Sequence, residues 1–205
     1  IHVIGTLNTG GVQKYILQLS QSPFLNNYTH QVFCTIQSID NYKDEYEKNH
    51  ISINHHPFKY PPNNHIPYKI DKLLRNLFSG LYFFRMWYYL INSEVNIVHS
   101  HIYSYIISQI FAAVLSGKKI IWTIHGEYSL GNITRLMIRI LDSILPNTKF
   151  QIIADSKSAL QTTLPYTGNN PVFDNIIPTG IDIEPYLQRY DASQIRNKYN
   201  IADDT

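Results

Sequence analysis

Short apolar runs rich in Ile and Val alternate along this chain with longer segments whose apolar residues recur at helical spacing. A parallel strand pair needs a crossover of a dozen or more residues, usually a helix, so this alternation predicts a doubly wound α/β fold. The predicted strands are Ile1–Thr6, Gln31–Ile36, Ser52–Phe58, Asn96–His101, Lys119–Ile124, Gln151–Ala154 and Val172–Ile177, which make one open Rossmann-like sheet of seven. Predicted helices cover Val12–Gln21, Ile70–Asn92, Tyr105–Ser116, Ile133–Leu145 and Lys157–Leu164. The Pro- and Asn-rich segment Lys59–Pro67 reads as a loop.

Composition narrows the partners. Hydrophobic residues are 44% and charged residues 16% of the 205 positions, which excludes a disordered or low-complexity chain. Lys plus Arg number 17 against 15 acids, so no basic field marks a nucleic-acid binder. The single cysteine, Cys34, permits no intramolecular disulfide, and a reducing, cytoplasmic location is expected. The longest apolar stretch, Leu77–Ile91, has 15 residues and contains Arg85, short of the ~20 a spanning helix needs.

Four motifs fall at carboxyl ends of predicted strands, where open α/β sheets bind ligands. Gly10 and Gly11 lie between the first strand and a helix, where missing Cβ atoms and free N–H groups suit an anion; a tight turn explains them equally. The dinucleotide fingerprint Gly-x-Gly-x-x-Gly is absent, which disfavours NAD. His99 and His101 share one face of the fourth strand, and His125 ends the fifth, followed by Gly126 and Glu127. Three histidines on neighbouring strands raise a zinc reading, yet no recurrent metal spacing accompanies them, and hydrogen-bonded strand-end histidines are the better expectation. Asp155 and Ser156 close the sixth strand and read first as N-caps. A fifth motif, Pro178, Thr179, Gly180, is a stiff turn out of the sheet, either a hinge or an ordinary loop.

The long helix is predicted to turn Ile70, Leu73, Leu74, Leu77, Leu81, Phe84, Tyr88 and Ile91 to the sheet. Its other face then carries Lys69, Lys72 and Arg75 beside Tyr82, Phe83, Met86, Trp87 and Tyr89, a combination that suits an anionic membrane surface or burial under a loop or partner.

In order and spacing the set resembles the amino-terminal half of a GT-B glycosyltransferase of the retaining family 4. The matching pieces are Gly10-Gly11-Val12-Gln13-Lys14-Tyr15, Ile97-Val98-His99-Ser100-His101, Thr123-Ile124-His125-Gly126, Ile153-Ala154-Asp155-Ser156 and Ile177-Pro178-Thr179-Gly180-Ile181-Asp182. The resemblance implies transfer of a sugar from a nucleotide-sugar donor to a saccharide or lipid-linked acceptor, in bacterial capsular, exopolysaccharide or lipopolysaccharide assembly, without a metal or other cofactor. It implies that Gly10 and Gly11 face the donor diphosphate, that His125 stands at the reaction centre, and that Asp155 and Ser156 line the cleft. Residues 1–182 would be the acceptor-side domain, Pro178 to Asp182 the hinge, and residues 183–205 the entrance to a donor-binding domain, leaving this part inactive alone. Gln13 and Thr179 depart from the Glu and Asn of many relatives. The alternative is a non-catalytic glycan-binding or recruiting subunit of a split transferase.

Overall fold

The computed structural model of the protein describes residues 1–8, 10–35, 41–55, 68–102, 105–126, 131–163 and 177. Six parallel strands form one sheet: β1 (His2–Ile4), β2 (Gln31–Cys34), β3 (Ser52–His55), β4 (Ile97–Ser100), β5 (Lys119–Ile124) and β6 (Phe150–Ala154). Their order is β3-β2-β1-β4-β5-β6. The helices are α1 (Gly11–Ser20), α2 (Lys43–Lys48), α3 (Tyr68–Ile91), α4 (Ile106–Leu115), α5 (Asn132–Ile144) and α6 (Lys157–Thr163). The predicted seventh strand and the Lys59–Pro67 loop lie outside the described residues, except Ile177, whose N–H donates to the Ala154 carbonyl at 2.9 Å beside β6.

Strand residues alternate between two cores. On one face Val3, Phe33, Val98, Ile120, Trp122, Phe150 and Ile152 pack with buried residues of α3, α4 and α5. On the other, Ile4, Val32 and Cys34 meet Ile16 of α1 and Tyr46 of α2. Helix α2 escapes sequence reading because its six residues hold one apolar anchor. That anchor, Tyr46, is fully buried and donates its hydroxyl to the Gln13 carbonyl at 2.8 Å. Asp44 and Glu45 in the first turn and Lys48 in the last favour the helix dipole.

Helix α3 runs close to its predicted span but turns the opposite way. Tyr82, Met86 and Leu90 are its buried stripe, while Leu81, Phe84, Tyr88 and Ile91 are exposed. Phe83, Trp87 and Tyr89 are half-buried against the same core. The correction has a physical reason: between Leu81 and Ile91 every position except Arg85 is apolar or aromatic, so helical periodicity fits more than one stripe. Phe83 and Trp87, expected on the outer face, are thus half-buried, and the side chains of Lys69, Lys72 and Arg75 lie outside the described part.

Strand order reverses between β1 and β4. The helix after β1, α1, covers one face and the helix after β4, α4, covers the other, so the carboxyl ends of these two strands form the switch point at which open α/β sheets hold their ligand crevice.

Candidate functional site

The crevice begins at Gly10, the N-cap of α1, where the backbone is extended (φ −173°). A Cβ there would stand 2.5 Å from Oε1 of Gln13, because the Gln13 amide folds back to donate to the Thr6 carbonyl at 2.6 Å. Glycine therefore leaves room for the side chain that braces the turn, and Gly11, itself exposed, opens the helix.

The other wall is a line of imidazoles. Parallel pairing sets His2 opposite His99, and the period of two places His101 on the same face. His125 Nδ1 lies 3.1 Å from Asp155 Oδ2, and His125 Nε2 lies 2.9 Å from His101 Nδ1. His101 Nε2 is 3.2 Å from His2 Nδ1, and His2 Nε2 is 3.0 Å from His30 Nδ1. A carboxylate only accepts, so His125 donates from Nδ1 and accepts at Nε2; the same polarity then passes through His101 and His2 to His30. Five side chains, three just past the carboxyl ends of β4, β5 and β6, one at the first residue of β1 and one preceding β2, thus share one directed hydrogen-bond chain. His99 stands beside it, its Nε2 2.6 Å from the Thr123 hydroxyl, and Tyr15 of α1 meets His101 and His125 edge-on.

Burial governs the charge of these rings. Desolvation pushes His101 and His2 well below the ordinary histidine value, His99 down to about 3, and His30 and His125 down more modestly. Neighbouring imidazoles add to the shift of His2, His99 and His101, whereas the Asp155 hydrogen bond and charge pull His125 part of the way back. At neutral pH the chain is a row of neutral rings ending on a carboxylate.

Among the described residues, His2, His99 and His101 are the group whose nitrogens could gather on a metal, lying within 4.8 Å of one another. A zinc ion with bonds of ~2.0 Å in tetrahedral geometry needs ligand nitrogens ~3.3 Å apart. Both nitrogens of His2 and of His101 are already used by the hydrogen-bond chain, and His125 is not in the group.

Of the residues singled out from sequence, Gly10, His101, His125, Gly126 and Asp155 meet at the carboxyl end of the sheet, with His99 one register step below. Gly126 has φ +138°, a conformation that side chains rarely adopt. Asp155 orients His125 instead of capping, and Ser156 alone caps α6, its hydroxyl accepting from the Ala159 N–H at 3.1 Å. Glu127, Pro178, Thr179 and Gly180 lie outside the described residues. Sequence reasoning missed His2 and His30 and gave Thr123 and Tyr15 of the motifs no role of their own; the parity of His2 with His99 would have revealed the first only once β1 and β4 were known as neighbours. A cavity of about 350 Å³ lined by Asn27, Tyr28 and Glu94 opens near the amino ends of the strands, away from this crest, and holds none of these groups.

A doubly wound parallel sheet whose strand order reverses between β1 and β4, with strand-end histidines beside the switch point, defines the class as a Rossmann-like α/β domain. The chain belongs to Glycosyltransferase Family 4, whose profile matches residues 9–185. The fold is that of the GT-B enzymes. Anabaena Alr3699/HepE, solved with UDP and glucose, superposes with a TM-score of 0.64 at 14% identity, over 98% of this chain and 50% of that one. The same Anabaena protein with UDP-glucose gives 0.62 at 14% identity over the same shares. A glycosyltransferase from Rickettsia africae ESF-5 gives 0.61 at 18% identity, over 100% of this chain and 50% of that one. The chain thus spans about half the length of these structures. No curated protein matches it.

Proposed function

We propose that residues 1–182 are the acceptor-side domain of a retaining transferase that moves a sugar from a nucleotide-sugar donor to a saccharide or lipid-linked acceptor in bacterial surface polysaccharide assembly. The observation that carries this is the pose of His125, held between His101 at 2.9 Å and Asp155 at 3.1 Å at the switch-point crevice of a family 4 domain. Neighbours with UDP and with UDP-glucose support a uridine-type donor class.

In this reading the first N–H groups of α1, at Gly10 and Gly11, face the donor diphosphate, where fixed dipoles offset the charge that develops as the sugar leaves. His125, neutral and clamped at both nitrogens, forms the wall against the donor sugar; Gly126 lets the backbone turn close to it. Pro178, Thr179 and Gly180 are assigned the hinge in this reading, Glu127 a substrate-binding role, and Asp155 and Ser156 the lining of the cleft. Residues 183–205 lead into a donor-binding domain, so residues 1–205 alone do not transfer. No metal is needed, because amides and the partner domain carry the diphosphate charge.

The test is turnover of the full-length protein on a panel of nucleotide sugars with a lipid-linked or soluble saccharide acceptor. Transfer from one donor, reduced by about a hundredfold or more in His125→Ala, supports the reading. No turnover with any donor, or turnover unchanged in His125→Ala, refutes it.

A further inference from the structure

Helix α5 is apolar over more of its circumference than the core uses. Ile138 and Leu141 are buried against the sheet, yet Ile133, Leu136, Ile140 and Ile144 are 49–78% exposed. At 100° per residue those four fall within one arc of about 80°, forming a continuous stripe along the outer face. Four exposed aliphatic side chains in line are not scattered surface residues; they are a surface that needs a partner.

Charge identifies the partner. Arg139 is exposed on the row beside the stripe. On α3, which lies on the same face of the sheet with α4 between it and α5, Arg85 is exposed next to Phe84 and Tyr88. Among the described side chains of α3, α4 and α5 the sole acid is Asp142, and it is buried. Pairing with a second copy through a twofold axis at α5 would set the two Arg139 side chains together with no exposed acid among the described side chains of these helices to offset them. A layer of anionic headgroups over acyl chains meets both demands, taking the aliphatic stripe below and the guanidinium groups at the phosphates. No helix of the described residues is long and apolar enough to cross a membrane, and a 13-residue amphipathic helix fits lying in the interface plane.

We infer that α5 is the membrane-docking element of this domain, seated on anionic lipid through Ile133, Leu136, Ile140 and Ile144 with Arg139 beside them. This deepens the reading of a lipid-linked acceptor, since docking there brings the crevice to the membrane where such an acceptor lies. It replaces the surface expected around Phe83 and Trp87.

Flotation of the full-length protein with phosphatidylcholine vesicles, with and without phosphatidylglycerol, tests it. Binding is expected to require phosphatidylglycerol and to weaken severalfold between low salt and ~0.5 M salt. Leu136→Glu/Ile140→Glu is expected to lower partitioning at least tenfold, by about the transfer preference of one buried aliphatic side chain or more. Arg139→Glu should weaken it roughly tenfold, and Trp87→Phe should leave it unchanged. Turnover on a water-soluble acceptor separates this from the transferase reading, because the α5 variants should retain it. Equal flotation on neutral vesicles, full binding by the double glutamate variant, or no binding at low salt overturns the inference. So does a concentration-dependent dimer that the same variants dissociate.

Discussion

Lowering the pH should unfold this domain through its imidazoles before its carboxylates matter. His2, His99 and His101 are held neutral by burial, with an unfolded reference value of 6.5 and a folded value for His99 of about 3. A folded value below the unfolded one means the unfolded chain binds more protons in that interval, so stability is full above 6.5 and falls as pH drops toward 3. Between pH 7 and 5.5 an unfolded histidine goes from about one quarter to about nine tenths protonated, which favours unfolding by about 1.3 kcal/mol for each ring that stays neutral in the fold. Three such rings give about 4 kcal/mol, a large share of the 5–15 kcal/mol that a domain of this kind has in total. The groups around them do not reverse the sign: His30 and His125 are also lowered, Tyr15 is raised by burial, and Asp155 reaches only His125 directly. Native-state hydrogen exchange of the β4 and β5 amides in the full-length protein, corrected for intrinsic rates, measures the change locally. His101→Gln should flatten the slope by roughly a third, since one of three rings is removed. A loss below ~1 kcal/mol over this range would show that the rings charge within the fold and would refute the neutral chain.

The remaining predictions concern single positions. Asp155→Asn removes the anionic end of the chain and should lower transfer by roughly tenfold to a hundredfold while leaving the thermal midpoint within a few degrees; a kcat equal to that of the parent would rule out a positioning role. Gly126→Ala meets no atom within 4 Å but inherits φ +138°, so it should destabilise by roughly 1–3 kcal/mol in chemical denaturation, and a neutral result would contradict that backbone angle. Met86→Ala should cost about 2–5 kcal/mol and Tyr88→Ala less than ~1 kcal/mol, the reverse of what the helical pattern of α3 alone predicts.

The parts of this molecule that were legible in the sequence are those decided by short-range rules. Strands β4, β5 and β6 each carry a pair of adjacent β-branched residues, Ile97-Val98, Ile120-Ile121 and Ile152-Ile153, so composition marks them, and β5 falls on its predicted residues from Lys119 to Ile124. The crest histidines follow, because strand parity puts His99 with His101 and strand length puts His125 at the end. What was hidden depends on which elements become neighbours. His2 belongs to the site because β1 lies against β4 nearly a hundred residues later in the chain, and His30 because β2 lies against β1. Neither carries a local signature. The same logic explains α3 and α5: each is apolar over more of its surface than one packing partner can cover, so the pattern states how much must be buried and not against what. In α3 the sheet selected Tyr82, Met86 and Leu90 and left a second apolar row outside. In α5 it selected Ile138 and Leu141 and left the Ile133 to Ile144 stripe. An excess of apolar surface on two helices of one sheet face, beside cations and with its only described acid buried, is therefore information about a partner, and sequence periodicity expresses it as ambiguity.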